Sequence, residues 1–255
     1  MTTKNGHFYA TVGSFAHTNI KEVSNPLTTS EKVSKVVFSS NRNENQAEAN
    51  PVEGGPTAVV SKRSGLSQIW LFYPDGEQKQ LTFFEKNERI RNIVFSPNGK
   101  RLILQLHNQL WLLSDTGELT RVPHNDDLII SDPTWGKTGK YIYFAESING
   151  RWQIARFDVE TMKIDPEPYA FDQEFYLESY DGKYSFWRDA ITKKFYLKRL
   201  DTNTVEPIPI VLPENQLWFK FQPKANGIYF TALVNDIYFK LQYYDLKTRM
   251  VQDVL

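Results

Sequence analysis

The chain has 255 residues, 40% of them hydrophobic and 14% aromatic, enough for a sizeable core and too many for a disordered chain. Thirty Lys+Arg balance thirty Asp+Glu, which removes both the basic footprint of a nucleic-acid-binding protein and that of a polybasic membrane-surface protein. The chain lacks cysteine, so disulfide frameworks, thiolate zinc sites, iron–sulfur clusters and cysteine nucleophiles are excluded.

Two markers repeat along the sequence. An Asp that closes an aromatic or apolar run and opens a turn stands at Asp75, Asp115, Asp158, Asp201 and Asp245, at spacings of 40, 43, 43 and 44 residues. Each is followed within three positions by Gly or Thr, the chemistry of a tight hairpin. A Gly in a polar turn between β-rich runs recurs at Gly99, Gly139, Gly182 and Gly227, at spacings of 40, 43 and 45. The runs between the turns are rich in Val, Ile, Leu, Tyr, Phe and Trp, and no segment shows the apolar spacing of an amphipathic helix. Four short strands per period and almost no helix predict an all-β fold, a β-propeller of four-stranded antiparallel blades. Such blades stack to bury the faces that one sheet leaves open.

In chain order, residues 7–30 read as a partial blade without its first strand, with HFYATVG, TNIKEVS and NPLTTS as the other three. The unit 33–84 opens on KVSKVVFSSN, and NRNENQAEANPVEGGP reads as a long exposed loop before TAVVSKRS. In the unit 90–123 the strands are IRNIVFS, RLILQL, QLWLLS and ELTRV, and 130–168 repeats them with SDPTW, YIYFAE, WQIARF and MKIDP. Units 175–209 and 216–254 complete the series. The expectation is six blades, the first incomplete, with five blades and an N-terminal appendage as the alternative. All form a single domain, 1–255, within a longer chain. No apolar run reaches the ~18–20 residues of a membrane helix, and MTTKNGHFYATVGSF lacks the basic start and apolar stretch of a signal peptide.

The units FSPNGKRLILQ and GLSQIWLFYPDGEQKQLTFF resemble the TolB-type, or WD40-like, propeller repeat. Phe95, Ser96, Pro97, Gly99 and Lys100 match its turn, and Gln68, Ile69, Trp70, Asp75, Gly76, Leu81 and Thr82 match its later strands. Asn98 replaces the usual Asp. The resemblance covers 33–165 and fades in the last two units, where Gly182 and Gly227 remain without the Ser-Pro. It implies the fold and is nearly silent on function. TolB itself is a periplasmic partner-binding protein, prolyl-oligopeptidase-type enzymes use a propeller as a gate, and CadC/ToxR-type regulators carry a periplasmic propeller beyond one membrane span. A lone propeller that starts inside a blade most resembles the last group. That resemblance implies a periplasmic sensory or interaction domain of a membrane-anchored transcriptional regulator, with a cytoplasmic location as the alternative.

The residues themselves point away from catalysis. GLSQI at 65–69 lacks the second Gly of a nucleophile elbow, and neither a P-loop nor G-x-G-x-x-G occurs. His7, His17, His107 and His124 have no metal-binding spacing, and Asp126, Asp127 and Asp132 lie outside any calcium-loop pattern. No catalytic residue, metal or cofactor is expected. His124 beside Asp126 and Asp127 is the one imidazole whose titration neighbouring carboxylates would shift. Trp70, Trp111, Trp135 and Trp152 read as inter-blade core. What remains is the rim formed by the loops that lead into the first strands. Its candidates are Glu88, Arg89, Arg91, Asp132, Glu174, Gln216 and Trp218. A mixed-charge rim with one aromatic suits a protein or peptide partner, with no nucleic-acid contact and no membrane insertion by this segment.

Overall fold

The computed structural model describes residues 8–13, 18–24, 27, 34–166, 168–179, 181–212, 220–224, 226–234 and 238–254. Among them every regular element is a strand, and the fold is the expected all-β propeller of four-stranded antiparallel blades. The chain divides into two compact units, Met1–Asp127 and Leu128–Leu255.

In the first unit, β1 (Phe8–Gly13), β2 (Thr18–Val23) and β3 (Ser34–Phe38) form a three-stranded sheet. Two four-stranded blades follow. One comprises β4 (Glu44–Ala49), β5 (Thr57–Ser61), β6 (Gln68–Phe72) and β7 (Gln78–Gln80). The other comprises β8 (Ile90–Phe95), β9 (Arg101–Leu106), β10 (Gln109–Ser114) and β11 (Leu119–Arg121). Their shared core gathers Val60, Ile69, Leu71, Ile93, Leu102 and Leu104.

Two expectations change here. Ser34–Phe38 does not open the unit 33–84; it pairs with β2, Phe38 standing opposite Ile20. The stretch read as an exposed loop instead holds that blade's first strand, β4, in which Glu44, Ala47 and Glu48 are buried. Glu, Asn and Gln are depleted in strands, so a polar first strand carries no strand signal of its own. Of NPLTTS only Leu27 is among the described residues.

The second unit holds three sheets. β12 (Ile129–Trp135), β13 (Tyr141–Ile148) and β14 (Arg151–Asp158) are completed by two short edge pieces, β15 (Lys163–Ile164) and β16 (Ala170–Phe171), which pair with different parts of β14. β17 (Gln173–Glu178), β18 (Tyr184–Asp189), β19 (Phe195–Arg199) and β20 (Val205–Ile208) form the next blade. β21 (Phe221–Lys224), β22 (Gly227–Val234), β23 (Tyr238–Asp245) and β24 (Val251–Asp253) form the last. Phe175, Phe186, Phe195, Phe230 and Tyr244 fill the core between these two blades.

Two of the repeated turns have one construction. In SPNGK the Ser96 hydroxyl accepts the Arg101 N–H at 3.0 Å and donates to Asn98 Oδ1 at 2.8 Å, while the Gly99 N–H reaches the Ser96 carbonyl at 2.8 Å. SYDGK at 179–183 repeats it, with Ser179 accepting from Tyr184 at 3.0 Å and donating to Asp181 at 2.7 Å. The Ser, the Asx and the Gly are common to these two turns, and the Pro is not; at 136–139 Gly136 and Thr138 stand in place of the Ser and the Asx, and the Gly139 N–H still reaches the Gly136 carbonyl at 2.9 Å. Gly99 has φ +70°, and Asn50 donates to its carbonyl at 2.9 Å. The later Asp series caps turns as expected. Asp158 Oδ1 accepts from the Glu160 and Thr161 amides at 2.9 Å, and Asp245 Oδ1 from Lys247 and Thr248 at 2.8 and 2.7 Å. At Asp115 the neighbouring Ser114 hydroxyl does this work, accepting the Glu118 N–H at 3.0 Å.

Candidate functional site

Four successive first strands carry a β-bulge near their start. The register slips between Glu44 and Ala47, Arg91 and Val94, Ser131 and Thr134, and Gln173 and Phe175. A bulge adds a residue to one strand, bends it and re-aims a side chain, and leaves backbone groups without ladder partners. The slips hold polar residues: Asn45 and Gln46, Asn92, Asp132, and Glu174. Asn92 and Asp132, one repeat apart, share left-handed backbone at φ 46° and 49°. Asn and Asp visit that region more readily than other residues with a Cβ.

In the first unit the bulges of β4 and β8 are coupled. Gln46 Oε1 accepts the Ile93 N–H and its Nε2 donates to the Ile90 carbonyl, each at 3.4 Å, so a side chain serves the backbone groups the bulge releases. Asn92 donates to Gln105 Oε1 at 3.0 Å. Of the expected rim residues, Glu88 lies in the loop before β8 and meets His107 Nε2 at 2.7 Å. Arg89 is exposed, and its carbonyl accepts the His107 N–H at 3.1 Å. Arg91 is within β8, opposite Gln105.

In the second unit Asp132 and Glu174 occupy bulges inside strands and not the loops before them. Protein packed around Asp132 pushes its carboxyl up by desolvation, a shift opposed by the Ser131 hydrogen bond and by Lys220 and reinforced by Glu174. Glu174 accepts from Arg188 Nη1 at 3.0 Å and from the Lys193 ammonium. At the same end of the blade Arg151 donates twice to Asp172, at 2.8 Å each. Gln216 and Trp218 lie outside the described residues.

The other histidines are not drawn into this arrangement. His124 Nε2 accepts the Leu110 N–H at 3.3 Å and Nδ1 lies 3.1 Å from the Asn125 carbonyl, so the ring stitches β10 to the loop after β11. The Asp126 carboxylate binds Arg121, whose hydrogen bond holds it below the usual carboxylate range. His7 and His17 lie outside the described residues. Among the described residues no three His, Cys, Asp or Glu side chains converge as a metal site requires. The tryptophans do not share one position. Trp70 and Trp111 are equivalent within β6 and β10, whereas Trp135 ends a first strand, as Phe95 does. Sequence reasoning missed Asn92, although the repeat period that marks the turns also gives it the repeat position of Asp132.

No family model and no curated protein matches this sequence. Solved structures do match. TolB from Acinetobacter baumannii superposes with a TM-score of 0.71 at 18% identity, over 93% of this chain and 59% of that one. The chain therefore spans less than two thirds of that TolB. A nidogen/laminin complex matches with a TM-score of 0.68 at 11% identity, over 97% of this chain and 92% of the other. An oligogalacturonate lyase in complex with manganese matches with a TM-score of 0.58 at 15% identity, over 89% and 71%. At identities this low the superpositions establish a shared fold and nothing more.

Proposed function

We propose that this chain is a non-catalytic, protein- or peptide-binding propeller module that recognises its partner through groups at the bulged starts of its first strands. One observation carries the reading. First-strand bulges recur in successive blades and seat polar groups whose partners hold them in place, Glu174 between Arg188 and Lys193 and Asn92 on Gln105. Groups held in this way on a rigid scaffold suit recognition, because little ordering remains to be done on binding. The nidogen match comes from a protein–protein complex, which is consistent with this use of the fold. The resemblance to membrane-anchored regulators supports a periplasmic sensory role in a longer protein. The match to part of TolB supports a free periplasmic partner-binding protein equally well.

The test is site-specific photo-cross-linking in cells that produce the natural full-length protein. A benzophenone side chain replacing exposed Arg89 is expected to capture a discrete protein adduct. The same group at Thr116, in the turn at the other end of that blade, is expected to capture none. Equal labelling from both positions, or no adduct from position 89, refutes the reading.

A further inference from the structure

We propose that a patch in the second unit, made by Ile148, Phe171 and Ile191 and flanked by Arg151 and Lys193, docks an acidic, extended segment of the partner protein bearing large apolar side chains. This rests on the protein-binding reading and specifies the partner's chemistry.

Three links bring these residues to one part of the surface. Ile148 and Arg151 are cross-strand partners at the tip of the β13–β14 hairpin. The Arg151 guanidinium lies 5.3 Å from the centroid of the Phe171 ring. The adjoining Asp172 carbonyl accepts the Ala190 N–H at 2.7 Å, which brings the loop carrying Ile191 beside Phe171. Ile191 is 74% exposed and Phe171 53%. Single exposed apolar residues are ordinary on any surface, whereas neighbouring ones rimmed by charge mark a binding site.

The charges choose the occupant. In the Arg151–Asp172 pair the arginine side chain is 62% exposed and the aspartate 27%. In the Lys193–Glu174 pair the lysine is 51% exposed and the glutamate 16%. In each pair the cation is the more exposed member, so an approaching segment meets the cation before the carboxylate that pairs with it. Asp172 takes two guanidinium N–H donors and fixes the fork, so its remaining donors are offered in one orientation to a carboxylate. A cationic segment meets repulsion at the same two positions.

The experiment titrates the full chain with short fluorescein-labelled synthetic peptides and follows fluorescence anisotropy. One peptide alternates Asp or Glu with Leu or Phe, a second alternates Lys with the same apolar residues, and a third alternates Asp or Glu with Ser. The first is expected to bind at least ~10-fold more tightly than the others and to weaken as salt rises. Ile191→Ser and Arg151→Glu are each expected to weaken it about 10-fold or more, Arg151→Lys less than Arg151→Glu, and Val205→Ser not at all. Because Ile191 is surface-exposed, its replacement tests the patch without threatening the fold. No binding of the first peptide, equal binding of the basic one, or unchanged affinity in Ile191→Ser overturns the proposal. So does self-association of the chain that Ile191→Ser abolishes, since the occupant is then a second copy. If the cross-link from position 89 persists while the peptides fail, this inference alone falls; if both fail, the protein-binding reading falls with it.

Discussion

Replacing Arg63 with Met removes the counterion of the polar strand β4. The Glu44 side chain is fully buried, its Oε1 accepts from Arg63 Nη2 at 3.0 Å, and its Oε2 has no hydrogen-bond partner. Arg63 also donates to Ser61 Oγ at 3.0 Å and to Gln78 Oε1 at 2.6 Å, and lies over the Phe72 and Trp70 rings at 4.5 and 5.3 Å. Breaking a buried ion pair from one side costs about 3–5 kcal/mol, because the remaining charge keeps its desolvation penalty. Losing the ring contacts adds about 0.5–1 kcal/mol each, part of which the Met side chain recovers by packing. Arg63→Met is therefore expected to cost about 3–5 kcal/mol. In the Glu44→Gln background the same change leaves no buried charge behind, and the double-mutant cycle is expected to show coupling of about 2 kcal/mol. Urea titration followed by intrinsic fluorescence measures both, with Trp70 as a local reporter. A cost under about 1 kcal/mol, or losses that simply add, refutes the view that Arg63 makes a strand of this sequence tolerable.

Three further outcomes are expected. Gly99→Ala places a Cβ 2.2 Å from Asn50 Oδ1 at φ +70°, and is expected to cost about 1–3 kcal/mol in the same titration, less in an Asn50→Ala background. The Asp245 carboxyl is held below its ordinary range chiefly by the Thr248 N–H and then by that of Lys247. Its contribution is present above the unfolded-state pKa and lost as pH falls through the lowered folded value, so Asp245→Asn is expected to flatten the acid branch of a stability–pH curve below about pH 4. Burial pushes the Tyr243 phenol up to about 12. Its contribution is complete below the ordinary tyrosine range and declines as pH rises toward that value, by about 1.4 kcal/mol per pH unit. Tyr243→Phe is expected to shrink this alkaline loss, which a series of melts at rising pH would show.

The resemblance of 95–100 to a known repeat turn, and the recurrence of Asp and Gly at one period, are local chemistry. A Ser-x-Asx-Gly turn closes through its own side chains, as 96–101 and 179–184 both show, and it does so wherever it occurs. That is why the all-β class, the blade period and most hairpins were legible. The N-terminal sheet was legible only in part, since the strand run at 34–38 pairs backwards onto β2 rather than forwards.

The rest was decided by contacts between residues far apart in the chain. ENQAEA at 44–49 looks like solvent-exposed loop until Arg63 supplies a buried countercharge. The rim depends on where the register slips, and a slip is a property of two paired strands, not of one. Asn92, Asp132 and Glu174 occupy like positions because their strands bulge at like places, although their residue types differ. Repeating turn chemistry is encoded within a few residues and so can be read directly. Countercharges, bulges and the outward order of ion pairs exist only once distant segments meet, because their energies belong to pairs.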